Sequence, residues 1–575
     1  MALFGRTRLT VLLGAVAAAV ATLAALALAG QARAQTPAAC TPGTLVQTGS
    51  GPVCGVTADG QAYYLGIPYA APPVGRLRWR SPKPVHPWTS TYQATQRGAA
   101  CPTPGFPPGS PPQAGTSEDC LNLEVEKPAN VRPGQRLPVM FEIHGGGFLG
   151  EALTDNGSNF VGTGPVVYVY IRYRVGILGF LADKAFGRHS GDYGLQDQQA
   201  ALRWVKRNIA AFGGDPNNVT IFGESAGGAS VCDQVASPTA KGLFQRGISV
   251  SGFYNFNVNT IWWPADCKSK LQTEGQAQKR GATFAAKVGC GNAADVAACL
   301  RAVPVNTLLE KAGQLLDPTA GGAIGPIVNG TTLPISAAQA FKVGRVNKVK
   351  LIIGVGRDEF NGGIYTNYPG HTIVANSPAQ YRQLVRQQFR SLAPTVMRLY
   401  PLQRFPAPAP FIAYRTIMAD AFSVCPALVS DARLAKYIPI YAYQDDDSDS
   451  PTPVGQSLPV GQPPSAAQTP AAAAQPPLGA FHSGINHLAH DPPASLDPNQ
   501  AALQNQVLAE WTGFAHTSSP TAANTPLWTR YSTRGRPVMS LMPAGDSTLI
   551  PTRTISQEHH CGFWDAVNRT APWAP

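Results

Sequence analysis

The sequence predicts an α/β fold in which helices flank a large, mostly parallel central sheet that carries long loop and helical insertions. Two observations support this prediction. Strand-like apolar runs alternate with a segment of helical spacing, which is the pattern of a parallel sheet. The 58 glycines and 53 prolines among 575 residues indicate many turns and long connections, which disfavours a helical bundle. Hydrophobic residues make up 44% of the chain, enough to bury a large core.

Short runs of aliphatic, β-branched and aromatic residues predict the strands. In chain order these runs are Gln61 to Ile67, Leu137 to Ile143, Val166 to Tyr173, Asn218 to Phe222 and Leu351 to Val355. Between the third and fourth of them, apolar residues recur at roughly helical spacing from Leu195 to Ala211, and Gly213 and Gly214 end this helix. A further amphipathic helix is predicted from Gln500 to Phe514.

The first 34 residues are typical of a secretory signal. Arg6 and Arg8 precede an uncharged run from Leu9 to Ala29, and Ala32-Arg33-Ala34 supplies a small-residue cleavage site. The run is also long enough for a membrane anchor, but its many alanines make it weakly hydrophobic. We therefore predict cleavage after Ala34, a secreted or periplasmic protein, and no stable membrane anchor after cleavage.

Residues 35–575 are predicted to form one domain. Within it, residues 445–477 are rich in Asp, Ser, Pro, Ala and Gln, which predicts a mobile, solvated loop. The formal net charge of +12 is compatible with a polyanionic partner. Because the chain has no Lys/Arg-rich run of five or more, we expect instead a basic exported protein that binds no nucleic acid.

Ten cysteines in an exported chain indicate up to five disulfides. Cys40 and Cys54 bracket a short loop and form a natural pair. No cysteine or histidine spacing is typical of zinc, so neither a metal nor a cofactor is expected.

Two glycine-rich motifs carry the chemistry. Gly223-Glu224-Ser225-Ala226-Gly227 is a G-x-S-x-G pentapeptide that follows a predicted strand. Its turn is so sharp that only glycines fit beside the serine, whose hydroxyl is exposed at the carboxyl edge of the sheet. Upstream, His144-Gly145-Gly146-Gly147 follows another strand, and glycines leave backbone N–H groups bare to stabilise an oxyanion. Either motif alone also fits an ordinary glycine-rich turn, but together they predict a nucleophilic serine.

Longer motifs resemble the type-B carboxylesterase/lipase family of cholinesterase-like α/β-hydrolases and suggest a secreted, bacterial-type member. The resemblance extends from about Gly51 to Trp564. Besides the pentapeptide, its motifs are Ser117-Glu118-Asp119-Cys120-Leu121-Asn122, Asp192-Tyr193-Gly194-Leu195-Gln196-Asp197-Gln198 and Phe212-Gly213-Gly214-Asp215-Pro216.

The resemblance implies the α/β-hydrolase fold and a role for each candidate residue. Ser225 would be the nucleophile, and the oxyanion donors would be the backbone N–H groups of Gly146, Gly147 and Ala226. The activity would be hydrolysis of a small-molecule or polymeric carboxylic ester through an acyl-enzyme.

The family's acid lies in a G-x-x-x-D-E segment, which matches residues 354–359 and implies Glu359, with Asp358 as the alternative. The family's histidine follows a pair of small residues, which implies His482. The glutamate that the family often carries three positions later is replaced by Ile485. His487 and His490 therefore remain weaker candidates.

The resemblance also implies the disulfides Cys101–Cys120, Cys290–Cys299 and Cys425–Cys561. The remaining cysteines either form a Cys232–Cys267 pair or leave Cys232 as a buried thiol, and export favours the pair.

The substrate and two other functions stay open. The segment between Cys101 and Cys120 contains no tryptophan, which disfavours a choline ester. An aromatic cluster either lines a large apolar pocket or is ordinary packing beneath a loop; its members are Phe253, Tyr254, Phe256, Trp262 and Trp263. The alternative functions are an amide or peptide hydrolase with the same triad, and a non-catalytic cholinesterase-like adhesion protein.

Overall fold

In the computed structural model, the described residues of the chain are organised around a central sheet of 11 strands. In chain order, the strands are β1 (Val46–Thr48), β2 (Gly51–Cys54), β3 (Val56–Ala58), β4 (Gln61–Pro68), β5 (Tyr92–Gln93), β6 (Asn122–Pro128), β7 (Leu137–Ile143), β8 (Val167–Ile171), β9 (Gly214–Glu224), β10 (Arg246–Val250), β11 (Lys350–Gly356), β12 (Ile440–Asp445), β13 (Pro537–Leu541) and β14 (Thr548–Pro551). Strands β1, β2 and β5 form a separate small sheet. The order across the central sheet is β14-β13-β12-β11-β10-β9-β7-β8-β6-β4-β3.

The middle of this sheet is parallel. Each neighbouring pair from β8 through β7, β9, β10, β11 and β12 to β13 runs parallel. The described antiparallel pairs of this sheet lie towards its two edges, among β3, β4, β6 and β8 and between β13 and β14. The predicted large, mostly parallel sheet is confirmed. Because parallel strands end at the same edge, residues that follow β7, β9, β11 and β12 are brought together.

Helices cover both faces of the sheet. In chain order, they are α1 (Ser158–Thr163), α2 (Gly176–Phe180), α3 (Tyr193–Asn208), α4 (Ala226–Ala236), α5 (Glu274–Lys287), α6 (Val296–Ala302), α7 (Val305–Gly313), α8 (Ala337–Val343), α9 (Pro378–Phe389), α10 (Ala393–Leu399), α11 (Ala409–Ala419), α12 (Cys425–Leu434), α13 (Gly484–His490), α14 (Pro498–Thr517), α15 (Thr552–Glu558) and α16 (Cys561–Thr570). Successive residues of β7 alternate between the faces: Phe141 belongs to the core that contains α3 and α4, and Met140 to the core that contains α14. Both faces are therefore buried, as in other parallel sheets.

The structure describes residues 39–104, 115–132, 134–151, 157–252, 267, 271–313, 324–361, 375–450, 479–532 and 535–570. The chain divides into two units, Met1–Ala39 and Cys40–Pro575, and the first lies almost wholly outside these residues. The predicted signal, residues 451–477 of the predicted loop and the aromatic cluster also lie outside them.

The predicted elements differ from the structure mainly at their ends. The helix predicted from Leu195 to Ala211 is α3, and its last turn is a separate 3₁₀ segment, Ile209–Phe212. The prediction of a solvated loop from residue 445 is wrong at its start. Asp445 ends β12 and pairs with both β11 and β13, and Asp446 and Asp447 are buried. Acidic residues are usually exposed, so the sequence did not predict that an interior strand extends to Asp445.

One helical stretch of the described chain, Ala409–Leu434, is long and apolar enough to cross a membrane by length and composition. It comprises α11, a π-helical turn at Asp420–Val424 and α12. Of its most apolar window, 78% is buried inside the fold, as is usual for a core helix.

Five disulfides join all ten cysteines. They are Cys40–Cys54, Cys101–Cys120, Cys232–Cys267, Cys290–Cys299 and Cys425–Cys561. Cys232 and Cys267, whose pairing the sequence left open, are thus bonded to each other. Several disulfides fit an extracellular protein.

Candidate active site

The three residues predicted for catalysis meet at the carboxyl edge of the central sheet. Ser225 directly follows β9, Glu359 lies three residues beyond β11, and His482 lies just before α13. Ser225 has a φ of +56°, a conformation that is uncommon for a residue with a side chain. Such a strained turn between strand and helix exposes the serine hydroxyl.

The glycines of the pentapeptide are required by close packing. A Cβ atom on Gly223 would lie 2.3 Å from the carbonyl oxygen of Ile143, and one on Gly227 would lie 2.0 Å from the same oxygen. Ile143 is the last residue of β7. The turn at Ser225 therefore rests directly on the neighbouring strand, from which the His144-Gly-Gly-Gly segment continues.

A chain of hydrogen bonds joins the three side chains. Nε2 of His482 lies 2.9 Å from Oγ of Ser225, and Nδ1 of His482 lies 2.8 Å from Oε2 of Glu359. His482 and Glu359 are fully buried, and 7% of the surface of Ser225 is exposed to solvent. This arrangement allows an imidazole to take the proton of a serine hydroxyl while a carboxylate holds its other nitrogen.

Two further donors fix Glu359. The Ser251 hydroxyl donates to Oε1 over 2.5 Å, and the backbone N–H of Gly356 donates to the same oxygen over 2.7 Å. Burial raises the pKa of Glu359, but His482, Ser251 and Gly356 outweigh burial and hold this pKa below its usual value. Glu359 is therefore a carboxylate at neutral pH.

A second carboxylate also reaches His482. Oε1 of Glu224 lies 3.0 Å from Nε2 of His482, the nitrogen that faces Ser225. The Ser483 hydroxyl donates to this Oε1. Burial lowers the pKa of His482, but Glu224 and Glu359 together raise it above its usual value. Burial raises the pKa of Glu224, although His482 and Ser483 oppose this effect.

The glycine-rich segment after β7 lies against the same site. A Cβ atom on Gly145 would lie 3.3 Å from Cβ of Ser225 and 2.8 Å from Oε2 of Glu224. Gly146 and Gly147 have φ angles of +100° and +64°, which glycine adopts without strain. Ala226 is the first residue of α4, where a backbone N–H has no carbonyl partner within the helix.

Tyr173 anchors the start of this segment. Its hydroxyl donates to the carbonyl oxygen of His144 over 2.9 Å, and its ring stacks on the His144 ring at 4.2 Å between centroids. Burial lowers the pKa of His144, so this ring is neutral. His144 is thus a packing residue under the glycine-rich segment and lies apart from the hydrogen-bond chain.

The alternative acid and bases lie elsewhere. Asp358 accepts from Arg357 and from the backbone N–H of Ala480, each over 3.2 Å, and so braces the segment before His482. His490 lies 3.2 Å from Oε2 of Glu142. Burial, followed by the charges of His490 and His482, lowers the pKa of His487 to about 4.

Sequence reasoning missed Glu224, Ser251 and Ser483. Glu224 occupies a position that the G-x-S-x-G pattern leaves free, and Ser251 and Ser483 belong to no motif. The one available signal was position: Ser251 directly follows β10, next to the strand that precedes Ser225.

Comparisons with known proteins show the family of the chain. The model of the carboxylesterase family matches residues 42–564. Para-nitrobenzyl esterase of Bacillus subtilis (strain 168) is 31% identical over 497 residues, which span 84% of this chain and 92% of that protein. Cholinesterase of Mus musculus is 34% identical over 400 residues, 65% of this chain and 64% of that protein. Fumonisin B1 esterase of Sphingopyxis macrogoltabida is 34% identical over 368 residues, 63% of each chain.

A solved structure of PNB esterase superposes with a TM-score of 0.69 at 29% identity, covering 90% of this chain and 99% of the other. The α/β-hydrolase fold is thereby established independently of the motifs.

Proposed function

The chain belongs to the carboxylesterase family and is a carboxylic-ester hydrolase, and on this premise we propose that it acts through an acyl-enzyme formed on Ser225. The observation that carries the proposal is the position of His482, whose two ring nitrogens lie within hydrogen-bond distance of Ser225 and Glu359. His482 is the general base, and Glu359 orients its ring and stabilises the imidazolium.

In the first half of the reaction, Nε2 of His482 takes the proton of the Ser225 hydroxyl as Oγ attacks the ester carbonyl carbon. The negative charge that develops on the carbonyl oxygen is held by the backbone N–H groups of Gly146, Gly147 and Ala226. The imidazolium then returns its proton to the departing alkoxide, which leaves as the alcohol while the acyl group stays on Ser225.

In the second half, His482 takes a proton from water, which attacks the acyl carbon. The imidazolium then protonates Oγ of Ser225, the acid is released and the enzyme is restored. Glu224 is close enough to Nε2 to stabilise the imidazolium in both halves, so two carboxylates support one base.

The relatives act on different esters by name, so the resemblance leaves the acyl and alcohol parts open. The absence of tryptophan between Cys101 and Cys120 argues against a choline ester. We propose an uncharged or weakly charged ester as the substrate class for first assays.

We further propose that the chain is exported and cleaved after Ala34, so that the mature protein begins at Gln35. The order of charge, apolar run and small-residue site supports this, and the five disulfides fit an oxidising compartment.

The test is release of nitrophenol from nitrophenyl esters of increasing acyl length by the mature chain, beside Ser225→Ala. We expect Ser225→Ala to lower kcat on the order of 10⁶-fold, as loss of a serine nucleophile does elsewhere. If the mature chain and Ser225→Ala are both folded and neither hydrolyses the esters, the catalytic proposal is contradicted and the adhesion alternative is favoured. The dependence on acyl length measures the size of the acyl pocket.

A further inference from the structure

Lys and Arg residues from separate parts of the chain lie together at the amino edge of the parallel sheet. Residues 337–350 contain four Lys or Arg residues and no Asp or Glu, and residues 433–440 contain two and again no acid. These segments precede β11 and β12, respectively, so both reach the amino edge of the parallel sheet. Residues 337–350 supply most of the charges of this edge, and the fold adds cations from turns that are far apart along the chain.

Tyr437 joins the two segments. Lys348 donates to the carbonyl oxygen of Tyr437 over 3.5 Å, and its ammonium lies 6.0 Å from the centre of the Tyr437 ring. The Tyr437 hydroxyl donates to the carbonyl oxygen of Lys342 over 3.2 Å. A Cβ atom on Gly344 would lie 2.5 Å from the same ring. The two segments therefore form one continuous surface.

Lys350 extends this surface across the strands. It begins β11 and is the register partner of Arg246, which begins β10. Burial, followed by the charges of Arg246 and Arg530, lowers the pKa of Lys350. Arg530 belongs to the segment that leads to β13, where Tyr531 donates its backbone N–H to the carbonyl oxygen of Ile440. The positive charge thus continues along the starts of neighbouring strands.

We call this surface the basic edge, and its cations are Lys342, Arg345, Lys348, Lys350, Lys436 and Arg530. Five of them are exposed, and Lys350 is half-buried. Within the described part of the chain, none of the six forms an ion pair with a carboxylate. Their charges are therefore not neutralised by a described carboxylate and remain available to an anionic partner, although Lys348 also contacts Tyr437.

Apolar side chains are exposed among these cations. Val343 is 47% exposed and Tyr437 is 37% exposed. In the described chain, five large hydrophobic residues are exposed, and these are two of them. Both lie beside basic-edge residues in sequence, Val343 next to Lys342 and Tyr437 next to Lys436. Cations interspersed with exposed apolar and aromatic side chains are typical of surfaces that bind the interface of an anionic membrane.

We propose that the basic edge docks the enzyme reversibly on a bilayer that contains anionic phospholipids. Lys342, Arg345 and Lys348 meet the lipid phosphates, and Val343 and Tyr437 enter the headgroup layer. A nucleic-acid base can stack on the Tyr437 ring but not on the aliphatic side chain of Val343, whereas a lipid headgroup layer accommodates both side chains, which is why lipid is the better partner. Docking of this kind needs no anchor segment and is weakened by salt.

The orientation of the site follows from the sheet. Lys350 begins β11 and Glu359 lies just beyond its end, and seven residues of strand separate the two edges by roughly 20 Å. A molecule docked by the basic edge therefore directs Ser225 away from the lipid. The enzyme would be held at the membrane while its site takes esters from the aqueous side.

The test uses the mature chain and sedimentation with two kinds of vesicles, phosphatidylcholine alone and phosphatidylcholine with phosphatidylglycerol. At about 0.1 M salt we expect binding only to the vesicles with phosphatidylglycerol, and release as salt is raised. The triple variant Lys342→Gln/Arg345→Gln/Lys348→Gln should bind on the order of 100-fold more weakly, because each interfacial cation contributes roughly fivefold.

A matched variant with the same change in net charge, Lys184→Gln/Lys279→Gln/Lys287→Gln, alters exposed cations outside the basic edge and should bind like wild type. Hydrolysis of a soluble ester should be unchanged in both, which separates docking from catalysis. Tyr437→Ser should weaken binding without changing its dependence on salt. Equal binding by the two triple variants, no binding of wild type to anionic vesicles, or binding to nucleic acid in place of vesicles would each overturn the proposal.

Discussion

Glu224 and Glu359 lie on opposite sides of one imidazole, with Oε1 of Glu224 3.0 Å from Nε2 of His482 and Oε2 of Glu359 2.8 Å from Nδ1. In the proposed mechanism, Glu359 faces the nitrogen that carries the proton in the resting state. Glu224 faces the nitrogen that would gain a proton when Ser225 is activated. The charge of the imidazolium is therefore matched on both sides within a buried site, where interactions between charges are strong.

Glu224→Gln should move the acidic limb of the profile of kcat/KM against pH to lower pH. Glu224 raises the pKa of His482, so removing its charge lowers that pKa and keeps the base neutral in more acidic solution. Ser483→Ala should move the limb in the same direction but less, because the loss of its hydrogen bond raises the pKa of Glu224 without removing the carboxyl group. A limb that stays in place in Glu224→Gln would show that Glu224 does not influence His482 during turnover.

Glu359→Gln should lower kcat by roughly 10⁴-fold, because the amide no longer holds His482 in the required tautomer. Asp358→Asn is the matched control, since Asp358 contacts Arg357 and Ala480 and not the imidazole. Its effect on kcat should be far smaller. If the two variants exchanged these effects in steady-state assays, the acid would be Asp358.

Gly227→Ala should lower the free energy of unfolding by about 3 kcal/mol or more, because its Cβ would overlap the carbonyl oxygen of Ile143 at 2.0 Å and backbone cannot yield easily. Gly562→Ala, in α16, meets no atom within 4 Å and should be neutral or stabilising by up to about 1 kcal/mol. Urea unfolding of the two variants measures the difference. Similar stability of both would refute the packing argument at Ser225.

Removing the Cys425–Cys561 disulfide should destabilise the protein more than removing Cys290–Cys299. Their sequence separations are 136 and 9 residues, and a longer loop gains more entropy in the unfolded chain. The chain-entropy relation gives about 5 and about 2.6 kcal/mol, respectively. Unfolding midpoints of the two double Cys→Ala variants test this order, and the opposite order would mean that native contacts near the bridges outweigh loop length.

The parts of the fold that local chemistry determines were predictable. The apolar run of β7 and the helical spacing in α3 are properties of short segments, and the turn at Ser225 requires glycines at fixed positions. Glu224, Ser251 and Ser483 were not predictable in the same way, because their partners lie 100 or more residues away in the chain. The basic edge was missed for a similar reason, because the contacts of Tyr437 with Lys348 and Lys342 span 89 and 95 residues of the chain.

Asp445 shows that the composition of a segment can also mislead. Its acidic, polar neighbours in sequence predict exposure to solvent, yet its backbone pairs with strands on both sides. Composition reports the average of a segment and does not resolve where an interior strand stops.

The wide spacing of the proposed catalytic residues along the chain has a consequence for biosynthesis. Ser225 and His482 are 257 residues apart, and the sheet edge on which they meet is complete only when β12 has joined β11. In the proposed mechanism, a growing polypeptide therefore contains its nucleophile long before its base has been made. A chain whose synthesis has stopped before His482 would accordingly lack ester hydrolysis, even if the strands up to β11 had already folded.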